Sequence, residues 1–263
     1  MNATNIIKKF CKKRQFKILD NLQDTDRVNI ELLIDYIYKK QNTLVSNKEI
    51  LELLYSYFFK EKDELSSTWV KKQTIGKPGK EGTGYIVYKK GDPSIEYVMK
   101  EFKEKKSFSK VREEVKFQII ASLYGLSPVI YEYGKKPRPY IIMDKMNGGT
   151  IIDVIKKQKG KLTLKQQQEL IDILKKLDEI GIIHGDDNLN NLMFNDGKLY
   201  IIDFGFSRFN KGKYSNFDTL DVMMSTLFTF KYYLVKPPIL FMPYLKMNKK
   251  FWEDKINLKK HEK

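Results

Sequence analysis

Apolar positions in the opening stretch recur at helical intervals: Ile30, Leu33, Ile34, Ile37 and Tyr38 fall on one helix face. Ser46-Asn47-Lys48-Glu49 forms a capping box ahead of the apolar run Ile50 to Phe59, since Ser46 and Glu49 can each satisfy an orphan backbone N–H. The charged run Lys60 to Glu64 reads as a linker, so the pattern predicts a helical segment over 1–65. From Trp69 the period shortens to that of strands punctuated by glycine. Four glycines lie between Thr74 and Gly84, followed by a strand at Tyr85 to Tyr88, a turn at Gly91-Asp92-Pro93 and a strand at Tyr97 to Lys100. A helix is predicted over Lys110 to Tyr124, strands over Val129 to Tyr133 and Tyr140 to Met143, and helices over Ile151 to Lys157 and Leu164 to Ile180. The last has its own capping box, Thr163 to Gln166. The order is a helical preface, a small strand-rich lobe and a mostly helical lobe, an α+β arrangement.

Composition narrows this picture. Hydrophobic residues make up 41% of the 263, enough to bury a full core, and no apolar run is long enough to span a bilayer. Met1 to Phe10 lacks the apolar block of a secretory signal. The single cysteine, Cys11, excludes a disulfide framework and a cysteine zinc site, and fits a reducing, cytoplasmic compartment. The chain carries 49 basic and 33 acidic residues, a net charge of +16. Such a field attracts phosphate-rich partners, RNA or nucleoprotein among them. Only five of the basic residues are arginine, however, and an AT-rich coding sequence produces the same lysine excess.

The chemistry concentrates in Ile183-His184-Gly185-Asp186-Asp187-Asn188-Leu189-Asn190-Asn191 and in Ile201-Ile202-Asp203-Phe204-Gly205. A hairpin lies between them, with Leu192 to Phe194 as one arm, Asn195-Asp196-Gly197 as the turn and Leu199 to Ile202 as the other. Paired strand ends sit about 5 Å apart, so the hairpin brings the Asn191 amide to the Asp203 carboxylate. Both are hard oxygen ligands suited to magnesium. Asp186 stands just upstream, placed to act beside such a metal.

The pattern H-x-D-x-x-x-x-N followed by D-F-G resembles the catalytic and metal-binding loops of the protein-kinase superfamily. The resemblance covers about residues 70–230 and implies a two-lobed fold: a helical extension over 1–65, then a kinase-like domain over 66–263 with small lobe 66–143, hinge 144–147 and helical lobe 148–263. It implies that Asp186 accepts the proton of an attacking hydroxyl and that Asn191 and Asp203 hold Mg2+ on the phosphates of ATP. Val98-Met99-Lys100 is similar to V-A-I-K, which makes Lys100 the grip on the α- and β-phosphates. Glu114 is the preferred partner for Lys100, because Val115, Ile119 and Leu123 mark the packed face of its helix; Glu113 is the alternative. Gly76, Gly79, Gly82 and Gly84 resemble the phosphate-cradling loop with shifted spacing, and the backbone of Asp144 and Met146 is implied as the adenine contact.

The departures from the family pattern point to a branch. Gly185 replaces the arginine of H-R-D, Asn188 stands where serine/threonine kinases carry lysine, and no A-P-E follows Gly205. Asp218 to Val222 is placed to start the next buried helix, and only about forty residues follow it. These features resemble the H-G-D branch: the KEOPS kinase subunit, the RIO kinases, aminoglycoside and lipopolysaccharide-sugar kinases, and the kinase-like proteins of large DNA viruses, for which a host cytoplasm or virion would be the setting. Arg112-Glu113-Glu114 through Gly125-Leu126-Ser127-Pro128 is similar to the KEOPS subunit. The leading expectation is an ATP- and magnesium-dependent phosphotransferase of serine/threonine-protein-kinase type, active on a protein hydroxyl without an activation-loop switch. A small-molecule kinase acting on a sugar or antibiotic is the in-class alternative. A pseudokinase that docks protein or RNA is the non-catalytic one, weighed against by the retention of Lys100, Asp186, Asn191 and Asp203.

Overall fold

The computed structural model describes residues 62–76, 78–210, 212, 214–229, 239–245 and 250. The chain divides into two units, Met1–Lys60 and Glu61–Lys263, and every described residue lies in the second. The helical preface and its Ser46 capping box therefore lie outside the described residues.

A six-stranded sheet is built from β1 (Lys62–Glu64), β2 (Trp69–Ile75), β3 (Gly82–Lys89), β4 (Asp92–Phe102), β5 (Ile130–Lys136) and β6 (Tyr140–Asp144), in the order β1-β5-β6-β4-β3-β2. Only β1 pairs in parallel, with β5. This corrects the linker reading for its described part, Lys62–Glu64, whose exposed charges are those of a short edge strand, which polar residues protect from further pairing. Strand β4 is also longer than the apolar core Tyr97 to Lys100 foretold, because it begins with the exposed stretch Asp92 to Ile95, carried into the sheet by the pairing of Asp92 with Lys89 and of Glu96 with Tyr88 on β3.

Alternation along β3 and β4 sorts the side chains to two faces. Val87 and Met99 join Trp69, Tyr140 and Ile142 in a buried cluster. The intervening positions Gly84, Ile86, Val98 and Lys100 turn to the opposite face and line a cavity. Glu132 pins the cluster's edge, accepting from Ser66 N at 3.0 Å, Trp69 Nε1 at 3.1 Å and the Tyr140 hydroxyl at 2.8 Å. Burial, reinforced by this carboxylate, raises the Tyr140 pKa above the ordinary tyrosine value.

Helix α1 (Phe108–Leu123) connects β4 to β5 and starts two residues before the expected Lys110, because Ser107 caps it with its side chain. Val115 and Ile119 are buried as predicted; the Leu123 side chain lies outside the described set. Past the sheet come α2 (Ile151–Lys157) and α3 (Leu164–Glu179), each opened by a complete capping box, Thr150 with Asp153 and Thr163 with Gln166. The short strand β7 (Ile182–Ile183) leads into the catalytic-loop segment. The hairpin β8 (Leu192–Asn195) and β9 (Lys198–Ile201) follows, and β10 (Arg208–Phe209) pairs back on β7. Helix α4 (Asn216–Thr229) starts earlier than Asp218 and buries Leu220, Met223 and Met224. Among the described residues no helix is long and apolar enough to cross a membrane.

Gly82 occupies the one point where β3 has no room for a side chain: a Cβ there would collide with the Glu101 carbonyl on β4. Gly82→Ala is expected to cost about 1–3 kcal/mol of stability. A fall in the urea midpoint measures it.

Candidate active site

The cavity beneath the sheet has a volume of about 300 Å3. Its walls are largely apolar: Ile75, Ile86 and Val98 come from the sheet, while Met193 and Ile202 come from the far lobe. Met143, Asp144, Lys145 and Met146 cross between the lobes along one side. Two backbone bonds join that crossing to the hairpin, Gly148 N to Phe194 O and Phe194 N to Gly149 O, each 2.8 Å. Gly148 is required there, since a Cβ would lie 2.5 Å from the Phe194 oxygen. Gln118 on α1 lines the cavity too, its amide donating to Pro128 O at 3.3 Å. Of the four glycines between Thr74 and Tyr85, Gly84 is a lining residue within β3, standing opposite Lys100 in the β3–β4 register. Gly76 (φ +62°) and Gly79 form the turn, where Gly79 N donates to Gly82 O at 2.8 Å.

At the polar end of the cavity Lys100 Nζ donates to Glu114 Oε1 at 2.6 Å and to Asp203 Oδ1 at 2.8 Å. Glu114 is 1% exposed, whereas Glu113 faces solvent, so the choice between them falls to Glu114. Burial works against the charge on Lys100, but the two carboxylates outweigh it and raise its pKa above the ordinary lysine value. Burial likewise opposes the charge on Asp203, yet Lys100 holds that carboxyl below the usual range. Asp203 has φ +65°, a left-handed backbone that an aspartate adopts only under constraint.

The catalytic-loop segment is fixed by its own polar groups. Asp186 Oδ2 accepts from the Asn191 amide at 2.9 Å, and Oδ1 accepts from Asn188 N at 3.0 Å. Ile202 N donates to Asn191 O at 2.9 Å, which brings the residue before Asp203 against Asn191 as the hairpin argument anticipated. His184 is buried with Nε2 3.0 Å from Ile202 O and Nδ1 3.2 Å from Asp186 O. Burial dominates and lowers its pKa, so the ring is neutral and offers one N–H between two carbonyls. Three further residues support the loop from behind. Asn216 Oδ1 accepts from His184 N at 2.9 Å, its amide donates to Ile182 O at 2.7 Å and Asp178 Oδ1 at 2.6 Å, and Asp178 Oδ2 accepts from Ser215 Oγ at 2.6 Å.

A model of the protein kinase domain matches residues 69–237. The chain belongs to the protein kinase family. The fold is the two-lobed one of that family, and the chemistry it implies is kinase-type phosphoryl transfer. A stretch of 91 residues is 32% identical to the KEOPS complex subunit Bud32 of Pyrococcus abyssi (strain GE5 / Orsay); it covers 34% of this chain and 41% of that protein. The chain thus spans about two fifths of that relative's length.

The kinase site here lacks the arginine of H-R-D for a steric reason. Gly185 has φ +81°, and a Cβ on it would lie 2.6 Å from the Phe206 oxygen and 3.4 Å from an Arg208 guanidinium nitrogen. The roles of Asn216 and Asp178 escaped the sequence reading; the polar run Ser215-Asn216-Phe217-Asp218 was their only local signal.

Two outcomes test this architecture. Glu114→Gln, which leaves Lys100 facing a neutral amide, is expected to destabilise by about 3 kcal/mol, against less than about 0.5 kcal/mol for exposed Glu113→Gln. Paired urea denaturations measure both. The depressed pKa of His184 means that its contribution to stability is complete above the ordinary value of 6.5 and is lost as pH falls below it. His184→Asn is expected to flatten that acid limb of a stability-against-pH profile.

Proposed function

We propose that this chain is an atypical serine/threonine protein kinase that transfers the γ-phosphate of ATP, with Mg2+, to a protein hydroxyl. The carrying observation is the convergence of Lys100, Glu114 and Asp203 at one end of an apolar cavity whose far lobe holds the Asp186–Asn191 pair. The donor chemistry fits the implied groups. Ile86, Val98, Met146, Met193 and Ile202 provide apolar walls for a planar base, and the backbone of Asp144 and Met146 runs beside them. The amide oxygen of Asn191 and the Asp203 carboxylate are hard oxygen donors.

ATP with magnesium supplies the transferable phosphoryl group and neutralises charge as it moves. Lys100 is held charged by Glu114, so it offers a fixed ammonium to phosphate oxygens. Asp203 contacts Lys100 in this structure and would hold the metal together with Asn191. Asp186 has its carboxylate oriented by Asn191 and the Asn188 N–H, ready to accept the proton of an acceptor hydroxyl. Asn188, which occupies the position of the family's lysine, is spent on the loop itself: its Oδ1 accepts from Asn190 N at 3.0 Å. With glycine at 185, catalysis is expected to proceed without a phosphorylated activation segment.

Purified protein, labelled ATP, magnesium and generic protein acceptors test the proposal. Asp186→Ala is expected to reduce phosphoryl transfer by about 10²–10⁴-fold and Asp203→Ala to abolish it, with circular dichroism unchanged. Full activity in either variant would sink the assignment.

A further inference from the structure

Lys106 has no part in the family pattern described above, yet it is the most enclosed lysine of the ion-pair network. Its side chain is 9% exposed, and its Nζ lies 2.6 Å from Glu81 Oε2 and 2.8 Å from Glu114 Oε2. Glu114 therefore carries a different lysine on each oxygen, Lys100 on Oε1 and Lys106 on Oε2. The network runs unbroken from Glu81, beside Gly82 at the head of β3, through Lys106, Glu114 and Lys100 to Asp203. The backbone repeats the connection: Lys103 N donates to Glu81 O, and Lys106 N to Lys103 O, at 2.8 and 2.9 Å. The turn at 103–106 is thus docked on residue 81 by main chain and side chain together. Lys106 also approaches the metal-binding loop, its Nζ lying 3.4 Å from where a Cβ on Gly205 would stand.

We propose that Lys106 is a second positioning lysine, which tethers the head of β3 to α1 through Glu81 and sets the orientation of Glu114, and through it of Lys100, for the nucleotide. A carboxylate held on only one oxygen can rotate; held on both, Glu114 presents Oε1 to Lys100 in one direction. The Glu81 arm is the weaker one, since the Glu81 side chain is 42% exposed and its ion pair is open to screening by salt. The tether deepens the kinase reading and rests on it for the identity of the ligand, but it acts on binding geometry and is readable without turnover.

The test measures the affinity of a fluorescent ADP analogue with magnesium for the full chain and for Lys106→Met, Lys106→Arg, Glu81→Gln and the Lys106→Met/Glu81→Gln double variant. Turnover of labelled ATP is followed in parallel. Lys106→Met is expected to weaken nucleotide binding about tenfold and Glu81→Gln about threefold. The double variant should bind no worse than Lys106→Met alone, since both changes cut one connection. Lys106→Arg should restore affinity to within twofold. Affinities unchanged in both single variants, or losses that multiply in the double variant, would overturn the tether even if their melting temperatures fall. A wild-type chain that binds nucleotide with this pattern but never transfers phosphate would instead sink the kinase proposal and leave the tether standing.

Discussion

A carboxylate sealed from water must be matched by positive charge, and the buried Glu114 draws that charge from two separate segments. Lys100 reaches it from β4, Lys106 from the turn before α1, and Asp203 joins through Lys100 from the loop after β9. Breaking a buried pair leaves an uncompensated charge, at about 3–5 kcal/mol, so sheet, helix and loop are held in mutual register by electrostatics as much as by apolar packing. The same condition makes the site's pKa values one-sided. Lysine is held cationic and aspartate anionic, the states in which each can meet phosphate or metal oxygen chemistry.

The far lobe solves a different problem, that of holding an irregular segment still. Residues 184–188 adopt neither helix nor strand, so their polar groups need partners from elsewhere. His184 takes carbonyls on its two sides, Asn216 takes the backbone of Ile182 and His184, and Asp178 holds Asn216 in turn. Among the described residues the Asp186 carboxylate accepts from Asn188 and Asn191, inside its own loop. The Asp186 carboxylate is thus oriented by its neighbours while the rest of the segment is anchored to α3 and α4. For the proposed proton transfer this would supply a fixed direction for the acceptor oxygens, each of which keeps a lone pair beyond its one hydrogen bond.

How much of this was legible in the sequence depended on whether the signal was local. Capping boxes, the Asn195-Asp196-Gly197 turn and the apolar spacing of α1 and α3 are written within a few residues, and each element formed close to its expected place. The pairing of Lys100 with Glu114 was readable because helical spacing assigns Glu114 to the packed face. Strand β1 was missed because an exposed edge strand carries no apolar alternation, and its parallel partner lies 72 residues away. Lys106 was invisible for a compositional reason: in a chain so rich in lysine, nothing local separates a buried ammonium from the solvated ones. Asn216 and Asp178 were missed because their partners are 32 to 38 residues distant and only the fold brings them together.

The same lysine excess changes meaning once the site's own charges are counted. Two lysines, Lys100 and Lys106, face three carboxylates, Glu81, Glu114 and Asp203, one oxygen of each lying within 4.8 Å of the others. The arithmetic leaves this cluster one negative charge in excess, on a chain whose overall charge is +16. A bare phosphate would be drawn toward the protein by the long-range field and then meet a locally anionic wall. A phosphate accompanied by a divalent cation would meet no such barrier, because Asp203 would hold the cation and Lys100 would be free for the phosphate oxygens. The local deficit of positive charge therefore supports the proposed magnesium-bound nucleotide over a free anion.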